Sequence, residues 1–277
     1  MNQRISSGRR YFATAAGQRV YCLTHSIIYA KMTRCKEKCK MKTKLAPSMM
    51  CASYANLINE IKAIDTAGVD FLHCDIMDGH YVPNLIAGPD YIKTLRRISD
   101  TRIDLHLMVE KPENFIDMFE MQPGERICFH FETTYHPQRL VTQLKKRGLE
   151  TGIALAPSVP VVMIEDLLED IDFVHIMMVN PGYAGQPLIP AMMNKVIQTR
   201  RMLKERGLDL DIEVDGCVDY DNTIEFIKNG ATTLVLGVYS CFDKELGIDL
   251  ALNRVKNIVR DAENSGIGSQ AGVRGVF

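Results

Sequence analysis

From residue 44 onward the chain switches repeatedly between two hydrophobic periods. Short, mostly apolar runs occupy 45–49, 71–76, 103–108, 126–131, 151–155, 173–179, 211–214 and 233–236. Runs of that length and composition predict buried strands. Between them, residues 57–67, 89–98, 112–121, 137–147, 161–168, 189–206, 223–229 and 248–262 carry apolar positions at helical spacing. Local punctuation agrees. Pro89, Pro112 and Pro137 stand where helices open, a position that needs no amide hydrogen, and Gly68, Gly148, Gly207 and Gly230 stand where helices stop. Eight strand–helix units without a break in composition predict a closed α/β barrel of parallel strands, a (β/α)8 or TIM barrel, as a single domain over residues 41–264. In such a barrel the loops after the strands share one face, so chemistry is sought at the strand ends.

Composition narrows the setting. At 277 residues, 46% hydrophobic and 24% charged, the chain has the length of one large barrel domain. No apolar run reaches the roughly 20 residues of a membrane span, so no membrane partner is expected. Eight cysteines (22, 35, 39, 51, 74, 128, 217 and 241) are scattered, several inside predicted strands. That is the usage of a reduced, cytoplasmic protein rather than of a disulfide scaffold. Charge is uneven. Of 33 Lys and Arg, nine lie in residues 1–40 against one acid, Glu37, which leaves 24 basic and 33 acidic residues in the remainder. An acidic body argues against nucleic acid as the main partner. The basic head admits three readings: an Arg-bearing transit peptide, part of a metal site at Cys35 and Cys39, or an unstructured leader. No second cysteine pair follows at zinc-finger spacing, and the leader is preferred. The Gly-rich residues 265–277 read as a flexible tail.

The stretch from Phe71 to Asn84 carries the clearest chemistry. His73 and Asp75, two apart on a strand, share one face, and Asp78-Gly79 and Pro83 turn the chain directly afterwards. His106 lies at the end of the third predicted strand and Asp215 at the end of the seventh. A barrel brings these ends to one mouth. Two imidazoles and two carboxylates there suit one divalent ion, Zn2+, Fe2+ or Mn2+, with Zn2+ favoured. The competing reading makes each histidine a core residue bonded to backbone, but four such groups at strand ends favour the metal.

The same residues carry a resemblance. His73-x-Asp75-x-Met77-Asp78-Gly79-x-Tyr81-Val82-Pro83-Asn84 is similar to the signature of the ribulose-phosphate 3-epimerases, a group that includes the allulose-6-phosphate 3-epimerases. Ala46-Pro47-Ser48, Asp104-Leu105-His106-Leu107-Met108-Val109, Val179-Asn180-Pro181-Gly182-Tyr183-Ala184-Gly185-Gln186 and Glu213-Val214-Asp215-Gly216 match in order, over residues 42–259. The resemblance implies a metal-dependent isomerase that inverts carbon 3 of a ketose phosphate, D-ribulose 5-phosphate or D-allulose 6-phosphate. It implies metal ligation by His73, Asp75, His106 and Asp215, with Asp75 and Asp215 also the acid/base pair on opposite faces of the reacting carbon. Met77, Met108 and Met177 fall where the family places sulfur around the reacting carbons, although core filling explains them equally well. Ser48 matches a substrate-contact position. Gly182, Ala184, Gly185 and Gln186, with Gly216, Gly237 and Val238, would hold the phosphate largely through backbone amides. A small sugar phosphate is the expected partner, and a homo-oligomer the expected state.

Three positions depart from the ribulose-phosphate pattern. Cys217 replaces the usual second glycine, Val238 the usual small hydroxyl residue, and Ala184 a commoner glycine. The first and last resemble the allulose branch, and Val238 fits neither. The two substrates therefore stay open. His130 and Glu132 follow the fourth predicted strand at the mouth and rank below the four ligands, either as site residues or as a solvated rim pair. Two other functions also stay open: a sugar-phosphate-binding barrel without catalysis, which needs no opposed carboxylates, and a metal-assisted aldolase. No lysine stands at a strand end for Schiff-base chemistry. Residues 41–48 resemble the start of a family member, so a chain beginning at Met41 is expected to be soluble with unchanged turnover. An insoluble or inactive product would make residues 1–40 part of the domain.

Overall fold

Successive side chains on a strand point to opposite faces, and here the two faces differ in kind. The computed structural model describes residues 42–265; the predicted leader, and the predicted tail beyond Ser265, lie outside the described residues. Nine strands form one sheet: β1 Lys44–Pro47, β2 Leu72–Asp78, β3 Leu85–Ile86, β4 Ile103–Met108, β5 Arg126–His130, β6 Glu150–Leu155, β7 Phe173–Met177, β8 Asp211–Asp215 and β9 Thr233–Leu236. Their order is β1-β9-β8-β7-β6-β5-β4-β2-β3. Only the β2–β3 pair is antiparallel. Amides of Asp70 and Phe71 bond to the Leu45 carbonyl, and Ser48 bridges to His73, so β1 meets β2 and the ring of eight parallel strands closes. The chain is a (β/α)8 barrel. Around it run α1 Leu57–Ala67, α2 Pro89–Ile98, α3 Pro137–Lys146, α4 Ala191–Arg206, α5 Tyr220–Lys228 and α6 Ile248–Asn264. No helix among the described residues is long and apolar enough to cross a membrane.

The outward strand positions are apolar. Cys74, Ile76, Leu105, Leu107, Ile127, Phe129, Val174, Ile176, Ile212 and Val214 pack with Ile61, Ile92, Leu95, Leu144 and Val255 of the helices in one core. Many inward positions are polar yet buried: His73, Asp75, Asp104, His106, Arg126, His130, His175 and Glu213. A charge in such a place has to be paired. At the barrel floor Arg126 reaches across the interior, donating to Glu150 on β6, Asp211 on β8 and Thr233 on β9. Its guanidinium lies 4.4 Å and 4.8 Å from the ring centres of Phe71 and Phe173. Gly152 leaves the space that Phe173 fills, since a Cβ there would stand 2.5 Å from the ring.

Several elements differ from the expected pattern. The helix expected over residues 112–121 is a three-residue 3-10 turn, Pro112–Asn114. Arg147 takes the carbonyl oxygens of Ile116 and Phe119, at 2.9 Å and 3.2 Å, in place of backbone amides. The helix expected over residues 161–168 is a 3-10 helix, Val161–Leu167, where β-branched Val161, Val162 and Ile164 disfavour a regular α-helix. The first strand stops at Pro47, and Met49–Cys51 turns as a 3-10 helix. β2 runs to Asp78 and folds back on β3, pairing Met77 with Ile86 and Asp78 with Leu85. Helix α5 begins at Tyr220 because the Asp219 side chain accepts from the amides of Asp221 and Asn222. Arg126 is the interaction most exposed to test. Arg126→Met strips Asp211, and Glu213 whose Oε2 lies 3.7 Å from the guanidinium, of a buried cation and is expected to cost about 3–5 kcal/mol. Urea unfolding would read this as a lower midpoint at unchanged slope. An unmoved midpoint would show that the carboxylates do not depend on Arg126.

Candidate metal centre

His73 and Asp75 stand on β2, His106 on β4 and Asp215 at the end of β8, and the register sets Asp75 opposite His106. One donor atom from each of the four lies within 4.8 Å of all the others. Asp75 Oδ1 is 3.1 Å from His106 Nδ1 and 3.4 Å from His73 Nε2. Asp215 Oδ2 is 3.7 Å and 3.8 Å from the same two nitrogens. Bonds behind the rings assign their lone pairs. His73 Nδ1–H donates to Asp104 Oδ2 at 2.8 Å, so its buried Nε2, which has no hydrogen-bond partner, faces the aspartates. Tyr81 donates its hydroxyl to Glu132 Oε1 at 2.7 Å and so accepts from His130 Nδ1–H at 2.9 Å. His130 Nε2 then accepts from His106 Nε2–H at 3.0 Å. That leaves the His106 Nδ1 lone pair turned to the centre. Metal-binding histidines are held in this way, with the second ring nitrogen tied to a fixed partner.

The local field agrees with a cation. Burial opposes charge on His73, but the carboxylates of Asp75 and Asp104 outweigh it and hold His73 well above its ordinary value. Burial likewise opposes an ionised Asp75, yet the charge on His73 holds it far below the usual carboxylate range. A proton or a metal ion at His73 Nε2 answers the same potential. Burial and the nearby His175 push His106 down to about 3, so it stays a neutral ligand-competent imidazole. Two nitrogens and two carboxylates around one orphaned donor fit a divalent ion.

Asp75 and Asp215 border a cavity at the strand ends. The residues expected to touch substrate all line it: Ser48, Met77, Met108 and Met177 beside the aspartates, with Gly182, Ala184, Gly185, Gln186, Gly216, Gly237 and Val238 from the loops. Ser48 donates to Asp75 Oδ2 at 2.8 Å. Met77 and Met108 pack with Val82, and Met177 Sδ lies 3.3 Å from His175 Nε2. The loop after β7 is tied to its surroundings: Asn84 donates to Gly182 O at 2.8 Å, Tyr239 to Gly185 O at 2.6 Å, and Tyr183 to Pro83 O. Gly216 has φ +103° and a Cβ there would lie 2.6 Å from Val179. Cys217 keeps a left-handed φ of 51° although it is not glycine, a conformation that costs about 1–2 kcal/mol. No lysine or arginine lines the cavity, so an anion at this end meets mainly backbone amides and side-chain dipoles.

The expected rim pair is not one. His130 is fully buried against His106, because Tyr81 and Glu132 complete its hydrogen bonds from the surface side. Two further groups were not expected. His175 on β7 donates Nδ1–H to Glu213 Oε1 on β8 at 2.7 Å, and its Nε2 lies 3.5 Å from Asp215 Oδ2. Its ring is within 5° of parallel to that of His73, with centres 5.7 Å apart. Burial and Asp104 raise Glu213, while Asp104 is held near 2, chiefly by His73 against the effect of burial. A signal for this pair exists in the sequence. His175-x-Met177 and Glu213-x-Asp215 repeat the spacing of His73-x-Asp75, but a lone histidine in an apolar run reads as core.

All of these residues lie within the part of the chain that matches known proteins. Residues 44–240 match the Ribulose-phosphate 3 epimerase family. The chain is 39% identical over 208 residues to a ribulose-phosphate 3-epimerase of Bacillus subtilis, covering 74% of this chain and 96% of the relative. It is 38% identical over 216 residues to a ribulose-5-phosphate-3-epimerase of Arabidopsis thaliana, named as chloroplastic, covering 77% and 76%. Among solved structures, thiamine phosphate pyrophosphorylase of Pyrococcus furiosus aligns with TM-score 0.54 at 12% identity, over 80% of this chain and 97% of that one. The tryptophan synthase alpha chain of Legionella pneumophila aligns with TM-score 0.52 at 13% identity, over 88% and 97%. At such identities these structures share the barrel alone. With residues 44–240 matched as a unit and the Bacillus subtilis relative covered nearly end to end, the chain belongs to the ribulose-phosphate 3-epimerase family.

Proposed function

We propose that the protein is a metal-dependent epimerase that inverts carbon 3 of a ketose phosphate, D-ribulose 5-phosphate in the first instance. The observation that carries this reading is the meeting of Asp75 and Asp215, from separate strands, with His73 and His106 beside one cavity. Inversion next to a ketone takes a proton from one face of the carbon and returns one to the other. Asp75 serves one face, oriented by Ser48 and kept ionised by His73. Asp215 serves the other face. His73, Asp75, His106 and Asp215 would hold a divalent ion, Zn2+, Fe2+ or Mn2+, which when bound would supply positive charge beside the oxygens of the enediolate. Met77, Met108 and Met177 form a soft apolar wall that excludes water from it. The backbone of residues 182–186, 216–217 and 237–238 holds the phosphate at the outer end.

A second substrate has specific support. Ala184 and Cys217 place side chains at that outer end where glycine is usual, which favours D-allulose 6-phosphate. Proton NMR in deuterated water, with each ketose phosphate supplied separately, decides. Conversion of D-ribulose 5-phosphate to its epimer, deuterated at carbon 3, is expected. Turnover of D-allulose 6-phosphate alone would reassign the substrate, and no carbon-3 chemistry with either would leave only a binding barrel.

Two sets of variants test the roles. His106→Ala is expected to lose metal on dialysis, as read by elemental analysis, because one of two nitrogen donors is gone. Full occupancy would remove His106 from the centre. With metal content verified, Asp75→Asn and Asp215→Asn should each stop epimerisation. The variant that keeps the base facing the substrate's proton should still exchange that proton without inversion. Substantial epimerisation by either variant would defeat the assignment of two bases.

A further inference from the structure

Below the centre two imidazole–carboxylate pairs stand side by side, and only one of them includes a proposed metal ligand, His73. In the first, His73 Nδ1 bonds to Asp104 at 2.8 Å and presents Nε2 to Asp215 Oδ2 at 3.8 Å. In the second, His175 Nδ1 bonds to Glu213 at 2.7 Å and presents Nε2 to the same oxygen at 3.5 Å. His175 and Glu213 are completely buried, and β7–β8 register sets them directly opposite each other. The same register sets Met177 opposite Asp215, one step nearer the cavity.

This placement has a physical consequence. A buried polar side chain needs specific bonds, and His175 makes its strong one to Glu213, with Nε2 on the far side of the ring between Met177 Sδ at 3.3 Å and Asp215 Oδ2 at 3.5 Å. Asp215 is the more exposed of the two aspartates, with 17% of its side chain accessible against 2% for Asp75. Asp75 is fixed by a hydroxyl, Ser48, at 2.8 Å. No corresponding hydroxyl hydrogen bond to Asp215 is found among the described residues. We propose that His175, locked in orientation by Glu213, is the positioning residue for Asp215 and sets that carboxylate against one face of the reacting carbon. His175 touches no substrate and acts through Asp215. The proposal rests on the two-aspartate reading above.

The test uses a readout that a general loss of structure would not move. For each epimer supplied in deuterated water, the ratio of carbon-3 exchange without inversion to inversion is measured in metal-saturated enzyme. His175→Leu is expected to lower kcat by about 10–100-fold with KM little changed. The exchange-to-inversion ratio should rise for the epimer deprotonated by Asp75 and not for the other, because only proton return by Asp215 is impaired. His175→Gln, whose amide reaches the position of Nε2, should restore much of the lost symmetry. His175→Asn, whose shorter amide reaches Glu213 but not Asp215, should behave as leucine does and serves if the leucine variant does not fold. Equal ratios for the two epimers in the leucine and asparagine variants would overturn the proposal, as would a glutamine variant no better than leucine. Failure of the underlying reading is seen separately, as epimerisation by metal-loaded Asp215→Asn.

Discussion

Charge buried inside a barrel has little water to solvate it, so each charged group has to be answered by another side chain. The interior follows that constraint from floor to mouth. At the floor Arg126 is answered by Glu150 and Asp211 and enclosed between Phe71 and Phe173. One level up, Asp104 and Glu213 are answered by His73 and His175. At the mouth, Asp75 and Asp215 converge on His73 Nε2 and His106 Nδ1, with His175 Nε2 beside Asp215 alone, so two carboxylates meet at one point. The chemistry of the centre follows from that gradient. The lower levels are electrically closed and the top level has room for a cation.

The two faces of each strand divide the work. Outward residues such as Ile76, Leu105, Val174 and Val214 hold the helices and make the fold, while inward residues make the site. The separation explains how so many ionisable groups coexist with an ordinary apolar core. It also explains why the cavity loops can vary. Ala184, Cys217 and Val238 lie on loops supported by the strand ends, so they can alter the outer end of the cavity without touching the histidines and carboxylates beneath.

Much of this was legible in the sequence. The alternation of short apolar runs and helical periods predicts eight strands, and eight parallel strands form the ring. His73 and Asp75 announced themselves because two polar groups at strand spacing interrupt an apolar run. Less was legible where a partner is remote. Arg126 finds Asp211 85 residues away, and His175 finds Glu213 38 residues away, so neither pairing leaves a local pattern. The short strand β3 depends on where Met77 and Asp78 fold back, and the broken segment after Pro112 depends on Arg147, 31 residues from Ile116. In each case a tertiary partner decides what local propensity leaves undecided.

The central claim is that one divalent ion sits among His73, Asp75, His106 and Asp215. Anomalous diffraction from crystals of the metal-loaded protein, collected on both sides of the metal's absorption edge, tests it most directly. The account predicts one strong peak at coordination distance from His73 Nε2, His106 Nδ1 and both aspartates. A peak elsewhere in the barrel, or none in protein that epimerises at full rate, would contradict it.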